Sequence, residues 1–263
     1  LKEVLQVMEQ LAPLSLAESW DNVGLLVEPS KCRPIKTILL TNDLTVAVME
    51  EAESISSDLI VSYHPPLFRP FKRLVQSDWK QLLAVRAIES GMAIFSPHTS
   101  WDSVKGGLND WLVGGLVNDR RPISTSLLQP PLLGHGQGRL SVLNQPVTVA
   151  TAIEKMKSHL GLTHLRLALG VGKTLDSSIF TVAVCAGSGA SVLTGVKADL
   201  YITGEMSHHE VLDAVAKGTS VILSDHSNSE RGFLSVFREK LTVRLPDSVA
   251  VVVSKVDRDP LEV

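Results

Sequence analysis

Apolar residues recur three or four positions apart at the start of the chain, at Leu1, Val4, Leu5, Met8 and Leu11. This spacing predicts an amphipathic helix over residues 1–12, with one apolar face turned towards a core. Pro13 follows directly, and because proline cannot continue a helix, we expect the helix to end there.

Further along, short apolar runs alternate with stretches of helical spacing. Strands are predicted at 25–27, 37–40, 59–61, 92–95, 165–169, 180–185, 199–202, 221–223 and 249–253. Helices are predicted at 46–55, 78–90, 147–160, from Ser207 onwards and at 229–241. Ser207 and Glu210 have the spacing of a capping box. The alternation is typical of βαβ units and predicts an α/β fold with mostly parallel sheets.

One stretch interrupts this alternation. Residues 120–138 contain three prolines and three glycines and show no hydrophobic period, which is typical of a linker. We therefore expect two α/β halves. The first is predicted to comprise 1–125 together with 215–263, and the second 126–214.

Composition narrows the class of protein. Hydrophobic residues make up 44% and charged residues 20% of the chain, as in ordinary soluble globular proteins. The net charge of −3 argues against a large phosphate-binding surface, so direct nucleic-acid binding is not expected. No apolar run approaches the ~20 residues that a membrane span requires. Cys32 and Cys185 lie far apart, which argues against a disulfide scaffold and favours a reducing compartment.

The candidate chemistry lies where predicted strands end. In open α/β sheets, ligands bind outside the carboxyl ends of the strands. Three separate strands lead into a histidine, His64, His98 and His226, and the last two are followed four residues later by Asp102 and Glu230. Imidazole nitrogens combined with carboxylate oxygens suit zinc, manganese, iron, cobalt or nickel. A single histidine at a strand end is most often structural, so the prediction depends on three occurring in the same topological position.

Two glycine motifs were weighed as alternative sites. The stretch 170–174 resembles the end of a phosphate loop, but Leu167 occupies the position where that motif needs its first glycine. Gly187-Ser188-Gly189 follows a predicted strand and is compatible either with an anion cradle or with close packing.

The chain resembles the Nif-three-like family (NGG-interacting factor three), in particular its animal members. The motifs that carry the resemblance run in order along nearly the whole chain, at 19–24, 63–65, 97–102, 106–110, 185–189, 203–206, 226 and 229–232. Bacterial relatives are often labelled type-two GTP cyclohydrolases. The resemblance implies two α/β halves facing each other across a metal-binding cleft, a dinuclear site, and dimers that assemble into a toroidal hexamer.

The resemblance implies the same five metal ligands, namely His64, His98, Asp102, His226 and Glu230. Neighbouring side chains are expected to support them, namely Tyr63, Asp43, Glu205, His208 and His209. This chain departs from the family at Tyr63, where the family's first motif usually begins with a histidine. A phenol with a pKa of ~10 is a poor ligand at neutral pH. Whether one or two ions bind per chain therefore stays open.

Two functions of different classes are compatible with these motifs. One is a transcriptional co-regulator of the corepressor type, which acts through protein partners, binds metal and forms homo-oligomers in the cytoplasm and nucleus. The other is a dinuclear-metal-dependent hydrolase of phosphoesters or nucleotide-like substrates. Because the chain begins with Leu1 rather than methionine, an upstream mitochondrial targeting segment also stays open.

Overall fold

The computed structural model describes residues 1–31, 33–116 and 136–262, and the chain divides into two compact units. The first unit comprises Leu1–Trp101 and Leu234–Arg258, and the second comprises Asp102–Phe233 and Asp259–Val263. This division differs from the predicted one, chiefly because the strand at Ser220–Leu223 pairs within the second unit's sheet. Most of the predicted linker at 120–138, and Cys32, lie outside the described residues.

The first unit contains a mixed five-stranded sheet. Its strands are β1 (Gly24–Val27), β2 (Thr37–Thr41), β3 (Leu59–Ser62), β4 (Ala93–Ser96) and β10 (Ala250–Val253). They are ordered β1-β4-β3-β2-β10, and all neighbouring pairs are parallel except β1 with β4. The carboxyl ends of β2, β3 and β4 therefore share one edge, and the antiparallel β1 begins at that same edge.

Helices complete this unit, and the chain's own polar residues set several of their boundaries. They are α1 (Lys2–Leu11), α2 (Val46–Ser54), α3 (Trp79–Glu89), α4 (Thr99–Ser103) and α9 (Phe233–Thr242), of which α4 and α9 span the division between the units. The Thr45 side chain accepts a hydrogen bond from the first turn of α2, and Asp78 does the same for α3. The buried faces of α2 and α3 pack with β2, β3 and β4 in one apolar core.

The second unit has its own five-stranded sheet. Its strands are β5 (Arg139–Thr148), β6 (Arg166–Ala168), β7 (Ser178–Ser188), β8 (Leu200–Glu205) and β9 (Ser220–Leu223). The order is β5-β7-β8-β9-β6, with a parallel centre and antiparallel edge strands β5 and β6. The helices are α5 (Leu108–Gly114), α6 (Val149–Leu160), α7 (Ala190–Leu193) and α8 (His208–Ala216). The predicted α/β class with mixed sheets is thus confirmed.

The sequence prediction differs from the structure at two further places. The edge strand β5 was not predicted, and its last residues occupy the first two positions assigned to the helix at 147–160. The helix predicted at 229–241 begins only at Phe233, after a 3₁₀ turn at Ser227–Ser229. The Ser229 hydroxyl donates to the His226 carbonyl and accepts from the Gly187 amide, and these bonds hold the turn in place of a helix.

The capping box predicted at Ser207 and Glu210 is present at the start of α8, with both reciprocal hydrogen bonds formed. Among the residues described, no helix is long and apolar enough to cross a membrane.

Candidate metal site

Three loops at the carboxyl edge of the first unit's sheet carry the two candidate ligands of that unit and one supporting carboxylate. His64 follows β3 and His98 follows β4, and their ring centroids lie 5.4 Å apart. Asp43 follows β2, and its Oδ1 lies 2.9 Å from His64 Nδ1. Because a carboxylate can only accept, this contact places the proton of a neutral His64 ring on Nδ1 and leaves the Nε2 lone pair available.

Asp21 supports His98 in the same way and was not among the predicted supporting residues. Its Oδ1 lies 2.7 Å from His98 Nδ1, while its Oδ2 accepts from the amide and the hydroxyl of Thr99. Burial raises the pKa of Asp21, but the hydrogen bonds from His98 and Thr99 outweigh it, so the pKa lies below its usual value. The ionised carboxylate that orients His98 is therefore favoured in the folded chain.

The backbone at His98 is also constrained. Its φ is +32°, an uncommon value for a residue with a side chain, and its amide donates to the Tyr63 carbonyl at 3.2 Å. Such conformations persist only where the surrounding structure holds them, and they cluster at functional sites.

Tyr63 lies between the aromatic rings of this edge. Its side chain is buried, and its ring centroid lies 4.8 Å from that of His64, 5.4 Å from that of His98 and 6.0 Å from that of Trp101. The ring therefore packs directly against both histidines, and its role in supporting them as ligands stays a prediction.

The second unit presents its ligands at the carboxyl edge of its own parallel strands. His226 follows β9, and its Nδ1 lies 2.9 Å from Oε1 of Glu205, the last residue of β8. On the other side of the ring, His226 Nε2 lies 3.4 Å from Glu230 Oε1. The Glu230 side chain is only 2% exposed. In the tautomer whose Nδ1 donates to Glu205, the Nε2 lone pair and Glu230 Oε1 face each other, an arrangement suited to a metal ion bound by both.

Gly187 leaves space beside these two donor atoms. A Cβ at this position would lie 2.6 Å from Glu230 Oε1 and 2.9 Å from His226 Nε2, and the backbone φ of +63° also favours glycine. The sequence left open whether the Gly187-Ser188-Gly189 motif is an anion cradle or a close packing contact. In the structure, its first glycine lies against the carboxylate of Glu230 and the imidazole of His226. This position next to Glu230 favours a cation over an anion.

Asp102 belongs to the second unit and lies in α4. The buried Asn109 holds its backbone, because Asn109 Nδ2 donates to the Asp102 carbonyl at 3.2 Å while Asn109 Oδ1 accepts from the Ala186 amide at 2.9 Å. Burial raises the pKa of the Cys185 thiol, and the negative charges of Asp102 and Glu230 raise it further. Asp102 and Glu230 therefore both act on this buried neutral thiol.

His208 and His209 begin α8 and are exposed, with ring centroids 5.3 Å apart in an edge-to-face pair. Their role in supporting a ligand stays a prediction.

The three candidate histidines share one arrangement. Each has Nδ1 within 2.9 Å of a carboxylate, from Asp43, Asp21 and Glu205 respectively. Metal-binding histidines in proteins commonly hold their second ring nitrogen in this manner, which fixes the tautomer and makes the metal-facing nitrogen a better donor. The residues present thus fit a metal ion bound through Nε2.

Comparison with known proteins places the chain in a family. The model of the Duf34/NIF3 (NGG1p interacting factor 3) family matches residues 1–260. This protein belongs to the Duf34/NIF3 family. NIF3-like protein 1 of Rattus norvegicus is 43% identical, and the alignment covers 100% of this chain and 92% of the rat protein. NGG1-interacting factor 3 of Saccharomyces cerevisiae is 36% identical, with coverage of 100% and 96%.

Solved structures with the same fold include a relative of NIF3. A Bacillus cereus protein related to NIF3 superimposes with a TM-score of 0.83 at 19% identity, covering 100% of this chain and 98% of its own. Reduced HcgD from Methanocaldococcus jannaschii gives a TM-score of 0.80 at 26% identity, with 97% of each chain covered.

Proposed function

We propose that this Duf34/NIF3 protein binds divalent transition metal through His64, His98, Asp102, His226 and Glu230. The observation that carries the proposal is the shared contact of the three histidines, each of which has Nδ1 within 2.9 Å of a carboxylate. Nothing in apolar packing requires three such pairs, whereas metal binding through Nε2 does require this tautomer.

The donor set indicates which ions to expect. His64, His226 and Glu230 supply two imidazoles and one carboxylate to the proposed ligand set. Nitrogen and oxygen donors of this kind favour zinc, manganese, iron, cobalt or nickel, with one or two ions per chain. Tyr63 lowers the number of strong donors by one relative to a histidine in its place, which favours unequal occupancy of two positions.

Elemental analysis of protein purified without an affinity tag tests the proposal. We expect one to two equivalents of metal per chain in the wild type and a loss of bound metal in His226→Ala/Glu230→Ala. His164→Ala removes an exposed histidine elsewhere and should keep the wild-type content. A wild-type protein that stays free of metal after incubation with zinc or manganese would contradict the proposal, as would equal content in the double variant.

A protein-binding role is the second part of the proposal. The name of the yeast relative, NGG1-interacting factor 3, records an interaction of that protein with another protein. We infer that this chain acts in the cytoplasm and nucleus as a co-regulator of the corepressor type, through protein contacts rather than direct contact with nucleic acid, and as a homo-oligomer. The net charge of −3 supports protein contacts over binding to a polyanion.

A tethering experiment tests this role. Fused to a heterologous DNA-binding domain, the chain should lower transcription of a reporter that carries the matching sites. Unchanged transcription at equal fusion-protein levels would contradict the corepressor role. Tethering Glu230→Ala in parallel shows whether repression requires the metal site.

The alternative function is a metal-dependent hydrolase. Bound metal would polarise a phosphoryl or carbonyl oxygen and lower the pKa of a bound water. The buried carboxylate of Glu230 beside His226 favours this chemistry, because a desolvated site strengthens electrostatic stabilisation. Hydrolysis of a phosphoester should then disappear with a chelator and in Glu230→Ala, and activity that survives both would have another source.

A further inference from the structure

Residues 68–80 of the first unit form an uninterrupted exposed segment. Every residue in it is exposed, including five large apolar side chains, Phe68, Phe71, Leu74, Val75 and Trp79, each between 37% and 51% exposed. Single exposed apolar residues are ordinary, but five within one short exposed segment are typical of a surface that another molecule covers. We refer to residues 68–80 as the apolar-basic segment.

Specific hydrogen bonds fix the two ends of the apolar-basic segment. Immediately before it, the Asn22 side chain donates to the Leu67 carbonyl. Within it, the Val75 amide donates to Gln81 Oε1 at 2.9 Å, and Asp78 Oδ1 accepts from the amides of Lys80 and Gln81. A segment held in this way loses less conformational entropy on binding than a free loop would.

Trp20 extends the apolar surface. Its side chain is 61% exposed, and its ring packs edge-to-face against Phe68 with centroids 6.2 Å apart. The Trp20 ring centroid also lies 6.0 Å from that of His98. The apolar surface therefore reaches the edge of the candidate metal site within the first unit.

Charge indicates the chemistry of the partner. The apolar-basic segment contains four basic residues, Arg69, Lys72, Arg73 and Lys80, and one acidic residue, Asp78, for a net charge of +3. Because the whole chain carries −3, the remainder carries −6. A ligand that combines acidic and apolar groups complements the segment in both respects, and its attraction to the basic residues should weaken as added salt shortens the screening length.

The apolar side chains distinguish a peptide from a nucleic acid. Single strands are bound on aromatic rings, each of which stacks on a base. Leu74 and Val75 have no ring to offer, but they suit the aliphatic and aromatic side chains of a peptide. We propose that the apolar-basic segment, together with Trp20, docks a segment of a partner protein in which acidic residues are interspersed with leucine and phenylalanine. The proposal deepens the protein-binding role inferred above and specifies its docking surface.

A fluorescein-labelled peptide of alternating aspartate with leucine and phenylalanine serves as the probe for fluorescence anisotropy. We expect saturable binding to the full chain that weakens as salt is added, because charge contributes to it. Phe71→Ser/Leu74→Ser and Lys72→Glu/Arg73→Glu should each weaken binding about tenfold or more, as truncation of central interface residues commonly does. A peptide with serine at each leucine and phenylalanine should bind much more weakly.

Matched controls separate the segment from general surface changes. Val243→Ser alters an apolar residue that is 78% exposed in α9's C-terminal flank, and Lys197→Glu reverses an exposed charge in the second unit. Both should keep wild-type affinity. Metal content is measured on every variant. A variant that loses peptide binding but keeps its metal has a defect in the segment alone. A wild-type protein without metal would contradict the proposed metal site but not the docking surface.

Three results would overturn the proposal. The first is no binding of the probe by the wild type, or binding that the segment variants leave unchanged. The second is stronger binding, through the same residues, to single-stranded oligonucleotides or to vesicles containing phosphatidylserine. The third is a concentration-dependent dimer that the segment variants abolish, which would assign the surface to a second copy of the chain.

Discussion

His98 Nδ1 lies 2.7 Å from Asp21 Oδ1, although the two residues are 77 positions apart in the sequence. The contact arises because β1 runs antiparallel to β4, with Gly24 opposite Ser96, so that the residues before β1 meet those after β4. The Asp21 side chain is fully buried, and its ionised form is favoured. Asp21 thus orients a proposed ligand without being one.

We expect Asp21→Asn to weaken metal binding about 10- to 100-fold, which is the usual effect of removing a carboxylate that orients a metal-binding histidine. The change keeps the shape of the side chain but removes its charge. Competition titration with a zinc chelator measures the affinity. Asp199→Asn makes the same change at a carboxylate of the second unit that accepts from the amides of Phe180 and Thr181 in β7, and should keep wild-type affinity. Equal affinities of all three proteins would mean that Asp21 has no part in metal binding.

The candidate ligands could be proposed from the sequence because parallel strands deliver their carboxyl ends to one edge, so that three histidines, each after a different strand, are informative together although one alone is not. Asp43 follows β2 and Glu205 ends β8, so both were predicted from their place at the carboxyl ends of strands in the same sheets. Asp21 could not be found in this way, since it precedes a strand. Its position depends on the antiparallel pairing of β1, which short-range patterns do not reveal.

Gly187→Ala should abolish or strongly reduce metal binding, because the added methyl would occupy the space beside Glu230 Oε1 and His226 Nε2. Gly172→Ala is a matched control, since Gly172 has a similar positive φ of +75° and nothing within 4 Å of its missing Cβ. Each change should lower the unfolding free energy by about 1 kcal/mol through backbone strain alone. Measuring both metal content and urea unfolding of each variant separates the loss of the metal position from the loss of stability. A Gly187→Ala protein that keeps its metal would show that the space beside Gly187 is not needed for metal binding.

Tyr63→His should raise the metal content above that of the wild type, because an imidazole replaces a phenol at a buried position in ring contact with both His64 and His98. Tyr63→Phe keeps the ring packing and adds no donor, so its metal content should equal that of the wild type. Elemental analysis of the three proteins, prepared side by side in the presence of zinc, measures the metal content per chain. No increase in the histidine variant would show that a missing ligand does not limit occupancy.

Asp199 contributes stability that depends on pH. Burial raises the pKa of Asp199. The amides of Phe180 and Thr181 and the Thr181 hydroxyl all donate to Oδ2, and these hydrogen bonds lower the pKa by more than burial raises it, so the pKa lies below its usual value. The stabilisation is therefore fully present above the unfolded-state pKa of about 4 and is lost as the pH falls through the lower folded-state pKa.

Asp199→Ala should lower the unfolding free energy at pH 7 by about 2 kcal/mol, as loss of hydrogen bonds to a charged group commonly does. The difference from the wild type should shrink below pH 4. Urea unfolding at a series of pH values measures it, with the exposed Asp247→Ala as the control. A difference that stays constant with pH would mean that the ionised form of Asp199 contributes nothing.

Fold prediction was strongest where local and tertiary preferences agree. The helix at Lys2–Leu11 and the capped start of α8 follow from spacing and side-chain caps alone. β5 was missed because it is an edge strand in which polar residues such as Asn144 and Gln145 interrupt the apolar pattern. The start of α9 was misplaced because Ser229 bonds to Gly187, 42 positions earlier, which no local pattern signals.

Long-range ¹H–¹⁵N correlation spectra of the histidine side chains, recorded during titration with zinc, test the central claim most directly. Before zinc is added, we expect His64, His98 and His226 to show the tautomer protonated at Nδ1, and on addition their Nε2 resonances should move to metal-bound positions while His164 stays unchanged. Spectra in which zinc leaves the three Nε2 resonances unchanged, or shifts Nδ1 instead, would contradict the proposed site.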